Sequence, residues 1–219
     1  WFAGLGWSVA GVYSAIVLAT GPTVVTPLVR QIRLASPLSD VLEAEGLILE
    51  PIGAVLALLL LELVVGDLHG WRELLLGLLS RLGGGVLIGS IAGLLLSEGL
   101  KRLRSEPYIG IRLQLTLGVI FLLYGVCEWL LPESGLPASV AAGFVVGQRP
   151  STQANELDKL IRELAQLAIT MLFPLLAADV SWGELSPLGW GGITCVLFLM
   201  IVVRPIAVSI ATYGLPLDN

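Results

Sequence analysis

Across 219 residues the chain is 56% hydrophobic and 13% charged, with a formal net charge of −5 and a mean hydropathy of +0.90. So little charge over so apolar a chain excludes an ordinary soluble domain or a disordered one, and points to the bilayer as solvent. The acidic excess says little about partners, because in a membrane protein the position of each charge matters more than the sum.

Apolar segments run over 5–29, 41–66, 83–100, 111–131, 136–148, 164–180 and 188–213. They predict an all-α, polytopic membrane bundle of about seven spans, since a spanning helix needs ~20 apolar residues. The fifth segment is short and requires shelter from neighbouring protein. Segment 71–82, WRELLLGLLSRL, reads as an interfacial amphipathic lead-in to the third span. Cys127 and Cys195 both fall inside apolar runs and are expected to be buried thiols with no disulfide framework. The first residue, Trp1, is preceded by no charged n-region, so no signal peptide is expected, and Asn219 follows directly on a span, so a piece of a longer protein is expected.

Basic residues orient the spans. With Trp1 outside, the inner loops collect Arg30, Arg33, Lys101, Arg102, Arg104, Arg112, Arg149, Lys159 and Arg162, while Arg72, Arg81 and His69 fall outside. That asymmetry, with Trp182 and Trp190 at an outer interface, satisfies the positive-inside rule. Arg204 fits neither side because it lies within the last span.

Charges inside spans carry the functional signal. Ser36-Pro37 is a helix start, and counting ~1.5 Å per residue from it puts Glu45 about 13 Å deep and Glu50 roughly 20 Å deep. Ionisable groups at such depth are costly and face a cavity or a partner. Neutral, packed carboxylic acids are the bland alternative. Arg204 requires an anion, and if the last helix ends near Tyr213-Gly214 it stands as far from its inner end as Glu45 does from Ser36. Equal depth pairs Glu45 with Arg204, since a buried guanidinium without a partner is badly destabilising. Glu50 is then left as the deep acid without a partner. A desolvated carboxylate in that position can exchange its proton near neutral pH. Glu43, Glu62, Asp179 and Glu128 lie shallower or toward the outer half, where solvation or structural pairing is favoured.

The first span contains a Thr-Gly-Pro-Thr run, Thr20 to Thr23. Gly21 weakens the helix and Pro22 removes a donor, so the chain should break there and expose carbonyls and hydroxyls at midplane depth. Discontinuous helices of secondary transporters offer such oxygens to hard monovalent cations. Thr20 and Gly21 are therefore candidate ion ligands beside Glu50, with Gly21, Pro22 and Thr23 forming the helix break.

The stretch LATGPTVVTPLVRQIRLASPLSDVLEAEGLILEPIGAVLALLLLE resembles the core of NhaP-type monovalent cation/proton antiporters, closest in style to the cyanobacterial branch. The family's Ala-Thr-Asp-Pro motif corresponds to Ala19-Thr20-Gly21-Pro22, and its Glu-Ser-Leu-Leu-Asn-Asp stretch to Glu45-Gly46-Leu47-Ile48-Leu49-Glu50. VVRPIAVSIA is similar to the helix whose arginine, here Arg204, bridges the structural glutamate, here Glu45. GLPASVAAGFVVGQR and LAITMLFPLLAADV fit their places in that order. The resemblance covers nearly the whole chain and implies that 1–219 is a partial exchanger domain, from about the fifth to the eleventh helix of a roughly thirteen-helix inverted-repeat fold.

It further implies exchange of Na+ or K+ for protons in a bacterial inner membrane, by a homodimer in the intact protein, with no cofactor and no nucleic-acid partner. Proton and cation compete for Glu50, and one exchangeable carboxylate implies one-for-one, electroneutral exchange. The sequence departs from the family at Gly21 for aspartate, Gly46 for serine, Leu49 for asparagine and Glu50 for aspartate. The longer Glu50 side chain should shift the site and the choice of cation.

Other features point elsewhere. Gly85, Gly89 and Gly93 recur every four residues, the spacing of close helix packing. The triple glycine 83–85 lacks the lysine of a phosphate loop, and no HExxH or GxSxG supports an intramembrane hydrolase. His69 is a lone histidine, too little for a metal site. A channel or structural membrane module is the rival reading, and it gives no reason to bury an ion pair beside a lone acid.

Overall fold

The computed structural model describes residues 6–18, 36–68, 70–103, 109–148, 154–181, 183, 189–203, 205–206 and 209. Among these the secondary structure is helical: α1 Trp7–Leu18, α2 Ser36–Val65, α3 Trp71–Arg102, α4 Ile109–Leu130, α5 Gly135–Gly147, α6 Ala154–Asp179 and α7 Gly189–Phe198. Each expected segment carries one of them. Among the described residues four stretches are long and apolar enough to cross a membrane, namely Ala44–Val65, Trp71–Arg102, Gly110–Leu130 and Lys159–Asp179. Their outward faces are those of a lipid-facing bundle: Leu87 is 67% exposed, Phe121 73% and Trp129 84%.

The chain forms two compact units, Ser8–Ile169 and the combination of Trp1–Trp7 with Thr170–Asn219. In the larger unit α3 is the central post, packed by α2, α4 and, most extensively, α5. Its 32 residues rise as one α-helix of roughly 48 Å. Glu73 in the first turn and Lys101 and Arg102 in the last complement the helix dipole. The expected lead-in 71–82 is thus continuous with the third span, and it is apolar on both sides: Leu74 is buried while Leu75, Leu76 and Leu79 are exposed.

Close approach of α3 and α5 depends on the four-residue glycine stripe. A Cβ on Gly85 would lie 2.6 Å from the Ser134 carbonyl oxygen, and one on Gly93 would lie 2.7 Å from that of Ala142. At Gly89 it would overlap the Ala138 carbonyl oxygen and lie 2.6 Å from the Ala138 Cα. The obstacles are backbone atoms, so only glycine lets the helices meet this closely. Ala138 and Ala142 join Leu123 and Cys127 of α4 in one core cluster, with Ile88 and Ala92 of α3 packed on it. This contact supplies the shelter that the short α5 requires.

The turn from α4 into α5 is tied by side chains. The Glu128 carboxylate accepts the Glu133 N–H at 2.9 Å and the Gly135 N–H at 3.2 Å, meeting donors that the start of α5 leaves open. Ser134 Oγ donates to the Cys127 carbonyl at 3.0 Å. Glu133 takes a left-handed φ of 63° in this turn. Burial first, and then the charge of Glu128, raise its carboxyl above the usual range, against the pull of Arg81. Glu128 therefore pairs structurally, as its position implied.

Arg81, expected on the outer side within the lead-in 71–82, lies on α3 and reaches Glu62 of α2, its Nη2 donating at 2.9 and 3.1 Å. Side chains lean toward the N-terminus of their own helix, so across an antiparallel pair these two lean toward each other. Cys127 is a buried free thiol as expected, but Cys195, also free, is only partly buried on α7.

In the smaller unit α7 runs into a π-helical turn, Leu199–Val203. Pro205 follows and has no N–H for the carbonyl four residues earlier, which accounts for the loosened turn.

Candidate functional site

Glu50 stands within α2, inside the spanning stretch Ala44–Val65. The helix begins at Ser36, the start from which the depths of Glu45 and Glu50 are counted. Leucine and alanine carry it through Pro51, whose ring it accommodates without ending. Glu50 is half-buried, between the buried Gly46 one turn earlier and the buried Pro51 and Gly53 after it. Among the described residues it forms no ion pair and no side-chain hydrogen bond. Among the described residues, then, a span holds a carboxylate with no cation beside it, chemistry suited to taking up a proton or a small cation.

Glu45 lies on the same helix, exposed, with no ion-pair partner among the described residues. Its expected partner Arg204 lies outside the described residues, as do Thr20, Gly21, Pro22 and Thr23 of the expected helix break. Helix α1 approaches α2 at Gly11. A Cβ on Gly11 would lie 3.9 Å from Leu60 Cδ1, and Ala15 is 3% exposed. No group of three or more His, Cys, Asp or Glu residues converges to hold a metal among the described residues.

The Glu62–Arg81 pair was missed from the sequence, although one signal was present. Each residue is an isolated charge on the apolar face of a helical hairpin, and only a continuous α3 brings the two together. Their side chains are 24% and 13% exposed, so the pair is sheltered and ties the end of α2 to α3.

Helices of this length and surface, with ionisable groups held inside them, define an integral, polytopic membrane protein. The chain belongs to the sodium/hydrogen exchanger family, a family of transporters and not of enzymes: the family's model "Sodium/hydrogen exchanger, transmembrane" matches residues 1–219. It is similar to the probable Na(+)/H(+) antiporter 2 of Methanocaldococcus jannaschii, 26% identical over 212 residues that cover 91% of this chain and 49% of that protein. It is also similar to the Na(+)/H(+) antiporter NhaH of Halobacillus aidingensis, 26% identical over 216 residues, 94% of this chain and 52% of that protein. The chain spans about half the length of the curated relatives it matches. No solved structure matches it. The family expected from the residues around Glu45, Glu50 and Arg204 is thus the family found.

Proposed function

We propose that the intact protein exchanges a monovalent cation, Na+ or K+, for a proton across the plasma membrane, with Glu50 as the exchanging carboxylate. The observation that carries this reading is a half-buried acid inside a span with no cationic partner among the described residues. Its relatives are named Na(+)/H(+) antiporters, which supports the transport class. Thr20 and Gly21 are proposed as oxygen ligands beside Glu50.

One carboxylate that carries either a proton or a cation gives one-for-one, electroneutral exchange. Protonated Glu50 excludes the cation, and ionised Glu50 accepts it. The test is flux by the intact protein in proteoliposomes, with Na+ and K+ gradients compared and the potential clamped. Cation-driven proton movement that is insensitive to the clamped potential is expected; no proton movement with either ion would sink the proposal. Glu45 and Arg204 are proposed as the structural ion pair, and the intact protein is proposed to be a homodimer. Removing either charge should destabilise the intact protein, and neutralising both should cost less than the sum. Simple additivity in a double-mutant cycle would separate the two residues.

A further inference from the structure

Proline at position 51 has a consequence beyond the shape of α2. An α-helix bonds each N–H to the carbonyl four residues earlier, so the missing N–H of Pro51 deprives the Leu47 carbonyl of its helical donor. Both residues lie inside the spanning stretch Ala44–Val65, where a carbonyl without a partner is expensive. The next residue before Pro51 is Glu50, and a side chain lies over the turn N-terminal to its own Cα. For Glu50 that turn holds Gly46 and Leu47, and Gly46 puts no side chain in the way.

A polar side chain folding back onto a carbonyl of the preceding turn recurs in this chain. Ser80 Oγ donates to the Gly77 carbonyl at 3.0 Å and Thr194 Oγ1 to that of Gly191 at 3.0 Å, the same three-residue offset that separates Glu50 from Leu47. In those cases the carbonyl already has a helical donor. At Leu47 it lacks one.

We propose that the Leu47 backbone carbonyl, freed by Pro51, is a ligand of the Glu50 site and serves the proton and the transported cation in turn. The inference rests on Glu50 being the exchanging carboxylate. When Glu50 is neutral its O–H donates to the Leu47 carbonyl. When that proton leaves to water, the carboxylate and the same carbonyl hold the cation between them, and no proton can return until the cation departs. The carbonyl is therefore partnered in both states, and the competition is between two occupants of one oxygen pair.

The experiment supplies the missing N–H. Pro51→Ala in the intact protein, reconstituted in proteoliposomes, reoccupies the carbonyl with the position-51 amide. The KM for the cation identified in the flux comparison should rise about fivefold, with the maximal rate held within about twofold. Pro51→Leu, which supplies the same N–H, should repeat the effect. Replacing residue 51 by lactic acid, whose ester oxygen carries no hydrogen but has no ring, should keep the wild-type KM. An unchanged KM in Pro51→Ala would overturn the proposal. So would equal increases in Pro51→Ala and the lactic acid variant, because the ring and its kink would then be responsible. Failure of the underlying reading shows up separately, as exchange persisting in Glu50→Gln with Pro51 intact.

Discussion

Glu50→Gln in the intact protein is expected to abolish cation-dependent proton movement, lowering exchange at least ~100-fold, while the protein still folds and inserts. Glutamine keeps the length and shape of the side chain and carries no charge, so α2 should continue through Pro51 as before. What is lost is chemistry. An amide neither releases a proton near neutral pH nor neutralises a bound cation. No described residue forms an ion pair with Glu50, so its removal leaves no opposite charge stranded, and the structural cost should be small. The pattern expected is normal yield and thermal stability with no dye-detected proton flux under either Na+ or K+ gradients. Wild-type flux in this variant would remove Glu50 from the mechanism and leave Glu45 as the other acid of the stretch without an ion-pair partner among the described residues.

Much of the architecture was legible because hydropathy is a strong signal in lipid. Every apolar segment carries a helix, and the start at Ser36 came from a proline at the first helical turn. The packing role of Gly85, Gly89 and Gly93 was legible from spacing alone, although not that their partners would be the backbone of α5. What could not be read was how helices continue through charges. Arg72 and Arg81 made 71–82 look interfacial, and the pairing of Arg81 with Glu62 did not show. An ion pair across a hairpin depends on helix length and side-chain lean, neither of which composition reports. The candidate site divides the same way. Depth in the sequence singles out Glu50 as the candidate, while the loss of a helical donor at Leu47 becomes meaningful only once α2 is known to run unbroken through Pro51.

Gly89→Leu should be the most damaging single change to the larger unit. At this position even a Cβ would overlap the Ala138 carbonyl oxygen, with the Ala138 Cα at 2.6 Å and its carbonyl carbon at 2.7 Å. A flexible side chain could move aside, but a helix backbone cannot without shifting the whole of α5. Overpacking of cores costs typically about 1–3 kcal/mol when side chains can adjust, and here a cost above ~3 kcal/mol is expected. Ala138 also belongs to the cluster with Leu123, Cys127 and Ala142, so pushing α5 away opens the α4 contact as well. Gly83 provides the control on the same helix, because nothing lies within 4 Å of a Cβ built there. Gly83→Ala should be neutral or stabilising by up to ~1 kcal/mol, as alanine favours the helix. Thermal unfolding of the purified intact protein in detergent measures both. A clear drop in Tm for Gly89→Leu beside an unchanged or raised Tm for Gly83→Ala is the expected pair. Equal behaviour of the two would mean that α3 and α5 do not meet through the glycine stripe, and the short α5 would need another source of shelter in the bilayer.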